Sequence, residues 1–262
     1  MNKEAQFPWR LFWLLFTGGL IGVAAVMPYV LDFFGGTLQR LALPLPLLLA
    51  LQFVQSAIVL AIAVAIGLLV SRKIGLGAPA LEAWLYRRMP VVKSGTFSIS
   101  AIAGAAVGIV IVFLVYFVFL PLLPQLPVAS EAAVPLWKRF LACFYGGLDE
   151  EILMRLFLLS LLLWGVHKIG PNREQLPNRT SFWIVNIVIS LVFGLVHLPA
   201  ARLIMPITSM SIFYILSLNG IAAVVFGYLY WRRGLEAAMV AHFSADIVLH
   251  VIAPTLLKGT RA

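Results

Sequence analysis

The sequence predicts an all-α protein, a polytopic transmembrane helical bundle with about seven spanning helices. Three observations predict it. Apolar residues make up 62% of the 262, and only 11% are Asp, Glu, Lys or Arg, against about 25% charged residues in an ordinary soluble domain. Uncharged runs long enough to cross a bilayer recur along the chain, since about 20 residues suffice for a helix to span the hydrocarbon. The 19 Lys and Arg fall almost entirely in the short gaps between those runs, where membrane topology places them. The formal charge of +9 therefore reports topology and does not point to a nucleic-acid partner.

The first segment, Leu11 to Leu31, is 21 residues without a formal charge. That is longer than the core of a signal peptide, about 7 to 15 residues, so the segment is expected to be retained. The second, about 46–70, lies between the turn-like gap Asp32 to Pro44 and the basic stretch Arg72 to Lys93. The third, about 98–120, is closed by the Pro-rich gap from Pro121 to Lys138. The fourth, about 139–166, ends at Lys168 to Thr180, a gap holding two Pro and one Gly. The fifth, sixth and seventh are placed at about 182–199, 206–230 and 236–257. No gap is large enough for a soluble domain. Within Arg72 to Lys93, residues Ala78 to Arg88 are short, basic and aromatic. They fit an interfacial helix on the headgroups and equally a basic cytoplasmic loop. Cys143, the single cysteine, lies in an apolar stretch and excludes an intrachain disulfide; it reads as a small packing residue.

Orientation follows from the basic residues in alternate gaps. One set holds 12: Lys3, Arg10, Arg72, Lys73, Arg87, Arg88, Lys93, Lys168, Arg173, Arg179, Arg232 and Arg233. The other holds 6: Arg40, Lys138, Arg139, Arg202, Lys258 and Arg261. The N-terminus is expected on the cytoplasmic side.

Ionisable side chains near the bilayer centre cost about 2.5–3.5 kcal/mol on insertion scales and usually face a bundle interior or a wet cavity. The first three segments carry none away from their ends. The fourth carries Gly146-Gly-Leu-Asp149-Glu150-Glu151-Ile-Leu-Met-Arg155, four ionisable groups within seven residues. Glu151 and Arg155, four apart with the acid first, suit an intrahelical ion pair whose chief role is to orient the helix. Glu150 is turned about 100° from Glu151 and has Met154 at its own i+4 position. Without a local partner, it must protonate or find one on another helix. Asp149 is read as nearer a wet face, with no role assigned. Partners are offered by Phe193-Gly-Leu-Val-His197-Leu-Pro199 on the fifth segment and by His242-Phe-Ser-Ala-Asp246 on the seventh, with His250 one turn further on. Phe193 shares a face with His197, where it reads by default as a packing aromatic and is placed to wall the cavity or stack on the imidazole.

A Glu and a His converging on one water can deprotonate and orient it for attack on a carbonyl. A second imidazole opposite can donate to the developing oxyanion. The sequence has no Gly-x-Ser-x-Gly elbow and no His-Glu-x-x-His zinc motif, and Cys143 has no evident activating partner. An activated-water mechanism is preferred over a covalent one.

These residues resemble the CPBP family of intramembrane glutamic proteases, also called the ABI family, which includes the type II CAAX prenyl endopeptidases. Its signature is EExxxR, then FxxxH, then HxxxN or a variant, on successive transmembrane helices. Glu150-Glu151-Ile-Leu-Met-Arg155, Phe193-Gly-Leu-Val-His197 and His242-Phe-Ser-Ala-Asp246 look like these three motifs in order, and Gly227 to His242 resembles the stretch leading into the third. The resemblance covers about residues 138–250. It implies a four-helix catalytic core in 138–262, preceded in 1–137 by three transmembrane helices and the basic segment. It implies Glu150 as catalytic base, His197 holding and activating the water, His242 and Asp246 forming the oxyanion site, and Glu151 with Arg155 as support, alongside Phe193. Asp246 stands where eukaryotic CAAX proteases carry Asn; an ionised Asp would repel an oxyanion, so it must be protonated, pair with His242, or play another part. Asp variants are familiar among prokaryotic members, which points to the inner (plasma) membrane of a prokaryote. The implied partners are membrane lipid and a membrane-embedded or lipid-anchored peptide or protein substrate, with no cofactor.

Two alternatives stay open at this point. A metal-dependent hydrolase would use Glu150, Glu151, His197, His242 and Asp246 as ligands for Zn, Mn or Fe; the metal-independent reading is favoured. A membrane scaffold or proton-coupled transporter would use the same groups as a relay.

Overall fold

A computed structural model describes residues 6–38, 43–87, 92–169 and 176–257. Lys3, Arg40, Arg88, Arg173, Lys258 and Arg261 of the charge count, and Gly170 and Pro171 of the fourth gap, lie outside the described residues. Among the described residues, seven helices are long and apolar enough to cross a membrane: α1 (Trp9–Phe33), α2 (Leu45–Lys73), α3 (Thr96–Leu122), α4 (Leu136–Ile169), α5 (Arg179–Ala201), α6 (Ser209–Arg233) and α7 (Leu235–Leu256). They coincide with the seven segments expected from the sequence, and no strand occurs among the described residues. The protein is an integral membrane protein. Its outer surface carries many large apolar side chains, Ile21, Ile58, Ile102, Ile109 and Phe213 among them, as suits helices that face lipid.

Between lipid-like surfaces, helices associate through close packing of small residues. In α3, Gly104 and Gly108 form a small-xxx-small stripe against α7: a Cβ added at Gly104 would lie 1.9 Å from the Ala241 carbonyl oxygen, and one at Gly108 would lie 2.8 Å from Val248 Cβ. Helix α7, which carries the third motif, is thus seated on α3. Helix α1 packs against α2 and α4, and α5 pairs with α6, where the Asn186 side chain donates to the Val224 carbonyl at 3.1 Å.

Helix α4 is 34 residues long, well beyond the roughly 20 that a crossing needs, and its acidic cluster falls near its midpoint. Among the described residues, four stretches are π-helical: Leu114–Phe119, Tyr145–Glu150, Ile152–Leu159 and Ile247–Ile252. Such widenings are rare and favour functional sites. Two have a visible cause, since proline has no N–H to give its i−4 carbonyl: Pro121 follows the first and Pro254 the last.

Three short helices complete the described fold, and the first, Gly35–Leu38, follows α1. Val128–Ala133 lies between α3 and α4. Pro79–Leu85 realises part of the basic segment after α2. It is tied to the start of α7 by Glu236, which accepts from the Leu81 N–H at 2.7 Å. Arg72 and Glu82 pair beside it at 3.4 Å. The α6–α7 turn is made at Gly234, with φ +96°, a value that favours glycine.

Candidate active site

Each polar group of the site is delivered by a local feature of its helix. Glu150 ends one π-helical stretch of α4, Glu151 follows, and Arg155 lies in the next stretch. His197 sits where α5 breaks, after Val196 and before Leu198. Pro199, two residues on, cannot continue the hydrogen-bond ladder. His242 and Asp246 lie on one face of α7, four residues apart.

The four residues proposed for chemistry converge. Glu150 lies between two imidazoles: its Oε1 is 3.7 Å from His197 Nε2, and its Oε2 is 3.5 Å from His242 Nε2. Asp246 Oδ1 is 3.7 Å from the same His242 nitrogen. Glu150, His197, His242 and Asp246 line one cavity of about 330 Å³, with Phe193 and Phe226 on its wall and Ile111 and Val115 of α3 facing them.

The tautomer of His197 is set by its neighbour. Its Nδ1 is 2.6 Å from the Phe193 carbonyl oxygen, which can only accept, so Nδ1 carries the proton and donates. In that tautomer the other ring nitrogen, Nε2, is an acceptor and lies toward Glu150. A carboxylate oxygen and an imidazole lone pair therefore face each other across a gap that one water can bridge.

Glu151 is fully buried and has two partners. His242 Nδ1 is 2.7 Å from Oε1, and Arg155 Nε approaches Oε2 at 3.2 Å as an ion-pair contact without hydrogen-bond alignment. Arg155 also donates to the Ala223 carbonyl of α6 at 3.2 Å. Its guanidinium lies over the rings of Phe193 and Phe226, 5.2 and 5.7 Å from their centres, at cation–π distance. Phe193 meets His197 edge-on at 4.7 Å, and Phe226 stacks on His242 at 4.6 Å. The buried Glu151–Arg155 pair thus sets the ring angle of His242, the kind of outer support that orients a working imidazole.

Asp149 corrects the sequence reading. It is 1% exposed and points away from the cavity, into α1, where a Cβ added at Gly22 would lie 1.9 Å from its Oδ2. The π-helical widening at Tyr145–Glu150 changes the angular step that a 3.6-residue repeat assumes, so its face was not readable from that repeat.

Other site residues went unremarked in the sequence. Gly146 lets α4 approach α7: a Cβ there would lie 2.1 Å from Asp246 Oδ2 and 3.1 Å from His242 Nε2. Glu131, on the short helix before α4, pairs with His250 Nδ1 and lines the same cavity. It is the single acid in the gap from Pro121 to Lys138, a signal that would have marked it. Among the described residues, no three His, Cys, Asp or Glu side chains are grouped as a set able to hold a metal ion.

A polytopic helical bundle with carboxylates and imidazoles gathered around a cavity between its apolar helices fits a class, the membrane-embedded hydrolases and relays. The comparison with known families selects within it. Residues 132–248 match the family described as type II CAAX prenyl endopeptidase Rce1-like, so over that segment the chain is similar to the CPBP family. At family level this supports a CAAX-protease-like intramembrane endopeptidase. No curated protein and no solved structure gives a match.

Proposed function

We propose that the protein is an intramembrane endopeptidase in which Glu150 and His197 activate a water for attack on a peptide carbonyl of a membrane-embedded or lipid-anchored substrate. The observation that carries this is the Glu150 carboxylate set between two imidazoles, one with its tautomer fixed by the Phe193 carbonyl. Water held between Glu150 Oε1 and His197 Nε2 offers its hydrogens to two acceptors, which leaves a lone pair free to attack. Glu150 takes the proton and later passes it to the departing amine. General-base catalysis of this kind contributes about 10²–10⁴-fold.

His242 stands across the cavity as the oxyanion partner. Its Nδ1 is committed to Glu151, so Nε2 donates to an oxyanion in the doubly protonated ring, a form that the adjacent Glu151 and Asp246 carboxylates compensate. Asp246 acts beside His242, as its charge partner, in the position where eukaryotic CAAX proteases carry Asn. The reaction in this reading uses no metal. The cavity wall of Ile111, Val115, Phe193 and Phe226 suits a substrate segment that arrives from lipid.

The test is cleavage of a membrane-anchored peptide library by purified protein, wild type against Glu150→Gln, each with and without EDTA. Loss of all cleavage in Glu150→Gln, with EDTA harmless, is the expected result. EDTA-sensitive cleavage restored by one metal would replace the reading with a metal-dependent hydrolase, and an inert wild type would leave the scaffold or relay.

A further inference from the structure

We propose that His250, held by Glu131, is a positioning residue for Asp246, fixing the carboxylate that faces His242. The proposal rests on the reading of Glu150, His242 and Asp246 as the reacting set. Asp246 Oδ1 is shared between two imidazoles: it lies 3.7 Å from His242 Nε2 and 3.9 Å from His250 Nε2. On the far side of the second ring, Nδ1 is bonded to Glu131. The result is a carboxylate–imidazole–carboxylate row, Glu131, His250, Asp246, that runs along the cavity wall into His242 and Glu150.

The main chain around His250 is built to hold it. In an α-helix the His250 carbonyl would accept from residue 254, but that residue is Pro254 and has no N–H. The side chain of Arg139, 4% exposed, fills the vacancy: Nη1 donates to the His250 carbonyl at 2.9 Å, while Nε donates to the Val134 carbonyl at 3.0 Å and Nη2 to Thr255 Oγ1 at 3.2 Å. One guanidinium thus ties the start of α4, the approach to it and the end of α7 around this imidazole. The Tyr29 ring of α1 closes the remaining side, edge-on to His250 at 6.0 Å. The ionisable groups facing His250 are therefore Glu131, Asp246, Tyr29 and, through its carbonyl, Arg139.

Asp246 needs such a partner because packing alone does not fix it. On one side its Oδ2 occupies the space left by the missing Cβ of Gly146, and glycine has no side chain with which to orient the carboxylate. Orientation must come from the two rings that share Oδ1. A carboxylate that orients an imidazole is itself commonly held by an outer partner, and loss of such a partner costs about 10- to 100-fold. Glu131 and His250 both fall just outside the segment matched to the family, residues 132–248.

The test compares His250→Asn and Glu131→Gln with wild type and Glu150→Gln in the full-length protein, using the same membrane-anchored peptide. Both variants are expected to lower kcat about 10- to 100-fold with KM within about twofold. The His250→Asn loss is expected to shrink to about twofold or less in an Asp246→Asn background, because the two residues act as a unit. Glu131→Gln keeps the size of the side chain and carries the test if His250→Asn does not fold. Unchanged kcat in both variants, with Glu150→Gln inert, overturns this proposal alone. So does a His250→Asn loss that is as large without the Asp246 charge as with it. Cleavage retained by Glu150→Gln instead overturns the assignment of the base.

Discussion

Replacing Gly146 by Ala separates the chemistry of the site from the stability of the fold. The new Cβ would lie 2.1 Å from Asp246 Oδ2 and 3.1 Å from His242 Nε2. Carbon and oxygen do not pack closer than about 3 Å, so the carboxylate must retreat by about 1 Å. The atom displaced is the end of a side chain, which rotates at little cost to the fold. Alanine is also favoured over glycine within a helix by about 0.5–1 kcal/mol, so the folded state should lose little. A shift of about 1 Å in a reacting group can cost about 10²-fold, which is about 2.7 kcal/mol of barrier. The expected result is a kcat about a hundredfold lower, with a thermal unfolding midpoint close to wild type. Gly165→Ala is the control, since a Cβ there meets nothing within 4 Å; it should leave kcat unchanged. Initial rates on the membrane-anchored peptide and circular-dichroism melts in the same detergent measure both quantities. A Gly146→Ala enzyme within about threefold of wild type would show that Asp246 has no exacting position and would refute the reasoning.

Two further outcomes follow from the same geometry. Glu151→Ala removes the buried partner of Arg155 and of His242 Nδ1; breaking a buried pair in this way costs about 3–5 kcal/mol, read as unfolding at a lower SDS mole fraction, and an unchanged midpoint would count against the supporting role. The N-terminus is proposed on the cytoplasmic side: Ser94→Cys should be protected from a membrane-impermeant maleimide in intact cells and Gln125→Cys labelled, with native Cys143 silent because it is fully buried. The reverse pattern would invert the topology.

The sequence by itself determined the class of fold, because lipid imposes a rule that composition can satisfy in few ways: every backbone group must be paired within a helix or a closed barrel. All seven spans were legible as predominantly apolar runs, and Glu150, His197, His242 and Asp246 were legible because ionisable groups within such runs demand a reason. Three things were decided only by the tertiary structure. The face taken by Asp149 depended on the π-helical turn at Tyr145–Glu150, which no 3.6-residue pattern encodes. The tautomer of His197 depended on a carbonyl, that of Phe193, which no pattern of side chains reveals. The union of Glu131 with His250 joined residues 119 positions apart; periodicity reports the face of one helix, whereas that contact depends on how the approach to α4 meets the end of α7.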